Sequence, residues 1–212
     1  MAALAAKRVR HASAGSSHTL AVTTAGELYA FGINEYGQLG VGNNETQELP
    51  QLVTAVAGKP IIQAVGGGNH SVVLTEAGEV YTMGRNENGE LGLGDTAERV
   101  VPTQILSLGP PLSEAQLSAI DELEVHHRRL EQLGLDVPEA ALQVARLRSR
   151  HDSTPVVEVT AGFDFTLALT STGDVYSWGY GGDRCLGTLQ HEEDRLTPAM
   201  IEDLEGLHAL GP

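Results

Sequence analysis

Residues 25–43, AGELYAFGINEYGQLGVGN, carry five glycines, and Gly37-Gln38-Leu39-Gly40-Val41-Gly42 is the first place where residue types and spacing suggest chemistry. Bare backbone of this kind can cradle a phosphate, provided that a Lys-Ser/Thr pair follows the glycines. None follows here, nor after the similar loop that ends at Gly94. The eight histidines raise the question of a metal. His18 and His70 fall at equivalent places in different repeats, so hydrogen bonding where a strand begins is expected of them rather than ligation. His126 and His127 are adjacent and point to different sides of a helix, unlike the i, i+4 pair of a helical zinc site. Cys185 is the only cysteine, which rules out an intramolecular disulfide and a four-cysteine zinc site. Arg184 stands beside it, but no histidine can be named to activate its thiol. Glu192, Glu193 and Asp194 read as a solvated loop. With no Gly-x-Ser-x-Gly elbow either, no catalytic, cofactor-binding or metal-binding residue is expected.

The charge balance narrows the partners. The formal net charge is −15, yet no acidic residue precedes Glu27, and Lys7, Arg8 and Arg10 lie near the start. Residues 112–150 hold seven acidic residues and five arginines, so the excess negative charge sits on residues 27–111 and 151–212. Such surfaces repel phosphate backbones and disfavour nucleic-acid binding there. No apolar run reaches the roughly 18 residues that a membrane span needs, and the first residues lack the apolar core of a secretory signal.

Repetition explains the glycines. Shifted by 52 positions, GGNHSVVLTEAGEVYTMGRNENGELGLG (67–94) overlies GSSHTLAVTTAGELYAFGINEYGQLGVG (15–42) with fourteen of 28 positions identical. A third copy, GFDFTLALTSTGDVYSWGYGGDRCLGTL, begins at Gly162. His18–Thr23 alternates as a strand does, Gly26 turns the chain, and Glu27–Phe31 returns. A strand near 61–65 and a fourth at 52–56 complete the unit. Four short strands in about 50 residues, repeated, are the mark of propeller blades.

At these residues the chain resembles the regulator of chromosome condensation repeat family. The resemblance rests on Gly15-x-x-His18 and Gly67-x-x-His70, on Gly-Glu-(Leu/Val)-Tyr-x-x-Gly, and on Gly-x-Leu-Gly-x-Gly. The third unit departs from it, with Phe165 in place of the histidine and with Arg184 and Leu189 in place of two late glycines. The resemblance implies blades of a seven-bladed propeller, a ring that three units do not close. The expected fold is therefore all-β, a partial β-propeller arc of about three four-stranded blades, with the remaining blades supplied by further sequence or by a partner chain. The closing LHALGP reads as the start of a further strand.

Units 2 and 3 are 95 residues apart rather than 52, and the surplus falls at one connection. Ser113 and Gln116 fit a capping box, Leu117, Ile120, Leu123, His127 and Leu130 follow helical spacing, and Asp136-Val137-Pro138 opens a second helix. The expected organisation is a basic N-terminal segment (1–8), repeats 1 and 2 (9–111), an inserted αα-hairpin (112–154), and repeat 3 with the start of a further strand (155–212). A propeller folds without such an insertion, so its arginines Arg128, Arg129, Arg146, Arg148 and Arg150 are the expected partner-binding residues, able to meet an acidic protein or an RNA backbone. Pairing with Glu122, Glu124 and Glu131 along the helices is the competing reading.

Of the functions that the resemblance implies, chromatin binding is opposed by the acidic repeats. Ultraviolet sensing is opposed by a single tryptophan, Trp178. The expected function is a non-enzymatic protein–protein interaction or scaffold module in a larger assembly, with no cofactor. Its partners would be other protein subunits, including chains that complete the propeller. The alternative is guanine-nucleotide exchange on a small GTPase. The expected location is intracellular, cytoplasmic or nuclear, with mitochondria as the alternative suggested by the basic start.

Overall fold

A computed structural model describes residues 4, 6–109, 154–187 and 193–202. They form three antiparallel sheets of four strands each. Blade 1 comprises β1 (Val9–Ala14), β2 (His18–Thr23), β3 (Leu28–Gly32) and β4 (Gln47–Leu52). Blade 2 comprises β5 (Ile61–Gly66), β6 (His70–Thr75), β7 (Val80–Gly84) and β8 (Arg99–Gln104). Blade 3 comprises β9 (Val156–Ala161), β10 (Phe165–Thr170), β11 (Val175–Gly179) and β12 (Arg195–Met200). Within each blade the strands pair in sequence order, and the first strands β1, β5 and β9 pack side by side from blade to blade. The arc of three four-stranded propeller blades expected from the repeats is therefore present.

Each apolar core lies between blades rather than inside one. Leu20, Val22, Leu28 and Leu39 of blade 1 pack on Ile61, Val73 and Met83 of blade 2. Val72, Leu74 and Val80 of blade 2 pack in turn on Val156, Ala168 and Trp178 of blade 3. Strand burial follows from this. Every residue of β6 and β7 is buried, because blade 2 is covered on both faces. Strand β10 alternates instead, with Thr166, Ala168 and Thr170 buried against blade 2 and Phe165, Leu167 and Leu169 partly exposed on the other face.

One expectation needs correcting. The fourth strand of blade 1 is Gln47–Leu52, not 52–56; Thr54–Val56 is a 3-10 turn. The chain must leave the sheet there, and the turn drops Val53 and Val56 into the core at 1% and 2% exposure. The helical hairpin expected within 112–154 and the strand expected at the C-terminus lie outside the described residues. The connection in which the hairpin is expected begins after β8, as residues 53–60 follow β4.

Candidate interaction surface

The glycine loop shows why chemistry is not where the sequence first suggests it. Asn34, fully buried, accepts from the Leu39 amide through Oδ1 at 2.9 Å. Its Nδ2 donates to the carbonyls of Asn43 at 2.7 Å and Glu45 at 3.1 Å. The Tyr36 amide donates to Gln38 Oε1, the Gly37 amide to Asn34 O, and the Gly40 amide to Gly37 O. The Gly42 amide crosses to Val100 O of blade 2 at 2.9 Å. Four of the amides that a phosphate would need, those of Gly37, Leu39, Gly40 and Gly42, are already engaged. Blade 2 repeats the arrangement, with Asn86 bonded to Leu91, Asp95 and Ala97. These asparagines were legible as identities one repeat apart, yet their role needed the loop to be seen. Blade 3 has Gly181 at that position, and Asp194 Oδ1 accepts from its amide at 3.0 Å. Asp194 is thus a loop cap rather than a freely solvated acid.

The two repeat histidines are joint residues. His18 Nε2 lies 2.8 Å from Ser71 Oγ of the next blade, and Ser71 Oγ donates to Gln38 O at 2.7 Å. A carbonyl only accepts, so the serine proton is committed to it and the histidine must donate from Nε2. His70 repeats this with Thr166 Oγ1 at 3.0 Å, and Thr166 donates to Glu90 O at 3.1 Å. Trp178 Nε1 donates to the same carbonyl at 2.9 Å. The hydrogen bonding expected of these histidines exists, but it spans a seam instead of staying local. Burial lowers His18 to about 4, and burial with a smaller contribution from His18 lowers His70 to about 3, so both rings are neutral.

Cys185 is half-buried and points Sγ at Tyr180 O, 3.1 Å away; burial raises its thiol, the opposite of activation. Among the described residues no group of three or more His, Cys, Asp or Glu is placed to hold a metal. Among them, too, no helix is long and apolar enough to cross a membrane. Arg128, Arg129, Arg146, Arg148, Arg150 and the pair His126-His127 lie outside the described residues.

One side of the arc gathers exposed apolar groups. The residue after each third strand donates its amide to the turn between the first two: Ile33 to Ser17 O, Arg85 to Asn69 O, and Tyr180 to Asp164 O. Ile33 and Tyr180 are each 37% exposed there, and Phe163, in the same turn as Asp164, is 62% exposed. Arg85 ties the surface together. Its guanidinium lies 5.9 Å from the Tyr36 ring of blade 1, bonds Glu87 beside it, and reaches Asp164 Oδ1 of blade 3 at 3.6 Å. Burial pushes the Asp164 carboxyl up, with Arg85 opposing. The result is a fixed surface with two aromatic rings beside carboxylates. It can bury a partner's apolar area and meet a partner's cation. Sequence reasoning missed Phe163 and Tyr180, because each occupies a position that is not aromatic in the other repeats (Ser16 and Gly68; Ile33 and Arg85).

On the opposite side, Lys7 bonds Glu27 and lies 5.4 Å from the Tyr29 ring; Lys59 bonds Glu79 at 2.9 Å and lies 5.1 Å from the Tyr81 ring. A shallow cavity of about 220 Å³ between Gly26, Leu28, Val53, Val56 and Pro60 adjoins the first connection.

Comparison with known proteins agrees with this geometry. The model of the regulator of chromosome condensation (RCC1) repeat matches residues 25–74, 77–113 and 172–210, and a second model of the repeat matches 9–38, 61–90 and 156–185. Human protein RCC2 is 30% identical over 234 residues, covering 94% of this chain and 45% of RCC2. The ultraviolet-B receptor UVR8 of Arabidopsis thaliana is 33% identical over 204 residues, covering 92% of this chain and 46% of the receptor. The chain thus spans a little under half the length of these relatives. The crystal structure of human WBSCR16 superposes with a TM-score of 0.66 at 25% identity, covering 95% of this chain and 41% of that one. Prp20p of Saccharomyces cerevisiae, described with its binding properties to Gsp1p and histones, superposes at 0.64 and 20% identity, covering 92% of this chain and 38% of that one. The repeated sequence, the three stacked sheets and the family models agree: this chain belongs to the regulator of chromosome condensation (RCC1) repeat family.

Proposed function

We propose that this chain is a non-enzymatic interaction module that docks protein partners in a larger assembly. The observation that carries this reading is the exposed pair Phe163 and Tyr180, held on a surface that hydrogen bonds tie across the blades. Exposed aromatics on a rigid frame lose little conformational entropy on binding, which favours them as anchors of an interface. The inserted segment 112–154, with Arg128, Arg129, Arg146, Arg148 and Arg150, is proposed as a second contact that gives charge selectivity for an acidic partner. His18 and His70 serve the seams, and the buried Glu90 accepts from the Asn88 amide in its own loop, and this supports docking over catalysis.

The test compares the full chain with two variants, Phe163→Ala/Tyr180→Ala and the five arginines changed to glutamate, each checked for native circular dichroism. A partner that co-purifies stoichiometrically with the wild type should be lost from at least one variant. Retention by both would refute the proposed surfaces. Faster nucleotide release from a small GTPase on adding the chain would instead favour the exchange-factor reading.

A further inference from the structure

Blade 3 departs from the other two at neighbouring places on the loop side. Phe163 and Tyr180 are joined there by Gly182, where the other units have Glu35 and Glu87, and by Asp183, where they have Tyr36 and Asn88. Each ring lies against a glycine. A Cβ on Gly68 of blade 2 would be 3.1 Å from Phe163 Cδ1, and one on Gly182 would overlap the Tyr180 hydroxyl. Loss of the glutamate at 182 therefore makes the room that the tyrosine uses. With one side of each ring set on backbone, the exposed side is left to a partner.

The charge beside the rings has one dominant sign. Asp164 adjoins Phe163. Around Tyr180, Asp194 holds the Gly181 amide, and Gly181 lies against the Glu193 carbonyl. Burial raises the Asp164 carboxyl and Arg85 opposes this, while Glu87 and Asp194 add to the rise, so acids of blades 2 and 3 repel one another here. Asp183 and Glu193 are exposed and form no ion pair among the described residues. Against these acids stand Arg184 and Arg85, and Arg85 is already taken up by Glu87 and Asp164. An incoming cation would relieve the repulsion, and an anion would add to it.

The chain holds one example of the contact that such a cation can make. Arg85 lies over the Tyr36 ring while it pairs with Glu87 and Asp164. A guanidinium does both at once, since its plane covers a ring while its fork meets carboxylates; an ammonium has no such fork. Tyr180 takes Arg85's own place in blade 3, and among the described residues no cation lies over it or over Phe163.

We propose that the face made by Phe163 and Tyr180 binds a segment of a partner protein in which an arginine adjoins a large apolar side chain. The apolar group packs on the rings, and the guanidinium sits between Tyr180 and the carboxylates of Asp183 and Glu193. The inference rests on the docking role of this face and specifies what docks. Its charge requirement is opposite to that of the arginines in segment 112–154.

Panning a display library of random short peptides on the full chain tests it. Sequences with arginine beside a large apolar residue should be enriched at least about tenfold over the input. A synthetic peptide of the selected sequence should bind folded Phe163→Ala/Tyr180→Ala at least about tenfold more weakly than wild type. It should also bind Asp183→Asn/Glu193→Gln more weakly, a variant that leaves both rings in place, and it should lose affinity when lysine replaces its arginine. Selected peptides that need the rings but are acidic or uncharged would overturn the inference and leave the docking face standing. Selected peptides that bind the ring variant as well as wild type would overturn both. Lysine serving as well as arginine, or no enrichment at all, would also overturn the inference.

Discussion

His18 on β2 of blade 1 donates through Nε2 to Ser71 Oγ on β6 of blade 2, and His70 stands in the same relation to Thr166 one seam later. Each ring must stay neutral, since its Nδ1 is buried with no partner among the described residues. Protonation would place a charge inside a seam.

Acid should therefore open the seams. Both histidines have folded values below the unfolded 6.5, so the unfolded chain binds more protons between those limits. Their contribution is complete above about pH 6.5 and is lost as pH falls through about 4 for His18 and about 3 for His70. Phe165 shows that the repeat accepts a phenyl ring at this position where no further described blade packs on it. His18→Phe/His70→Phe should lose about 1–2 kcal/mol at neutral pH yet lose stability less steeply below pH 6.5, read by circular dichroism in urea at several pH values.

Glu90 carries the opposite sign. Burial raises its carboxyl, with Asp164 adding to the shift, so the folded chain holds the proton more readily than the unfolded one. Stability from this group is present at low pH and is lost as pH rises through its raised value. Gln38 fills the equivalent place in blade 1 and accepts from the Tyr36 amide as Glu90 accepts from the Asn88 amide. Glu90→Gln should raise the melting temperature by about 2–4 °C at pH 7 and leave it unchanged near pH 4, measured by calorimetry.

Asn86 is a strong loop determinant. Removing its side chain strands the Leu91 amide and takes a donor from the Asp95 carbonyl, while the Ala97 carbonyl keeps Arg99 Nη1 at 2.7 Å. Asn86→Ala should cost about 2–4 kcal/mol, measured by urea unfolding, and should raise amide exchange in residues 86–97 first.

Gly15 should tolerate no side chain. A Cβ there would lie 2.1 Å from His18 Cε1 and 2.6 Å from Gly67 O. The ring could turn, but the carbonyl belongs to the neighbouring blade. Gly15→Ala should cost about 3 kcal/mol or somewhat more and disturb the His18–Ser71 bond, visible as a shifted His18 ring resonance.

The repeats made most of the fold legible. Gly26, Tyr29 and Leu39 recur at 78, 81 and 91, and that recurrence is enough for three blades in order. The fourth strand was misplaced because LPQLVTAV carries apolar residues across a strand end; only packing shows that Val53 and Val56 turn inward. The seam bonds were illegible for a different reason. His18 and Ser71 are 53 residues apart, and a linear pattern reports which residues recur without reporting which recurrences touch. Phe163 and Tyr180 escaped notice because repeat comparison draws the eye to what units share, whereas a docking surface is made of what one unit has and the others lack.

Because each core lies between units, both halves of a seam are encoded in every unit: Leu20 and Val22 face forward, Ala21 and Phe31 face back. A duplicated gene segment of this length thus inherits plug and socket together, and the newborn copy can lengthen the array without compensating changes elsewhere. An array of this kind grows easily by whole units.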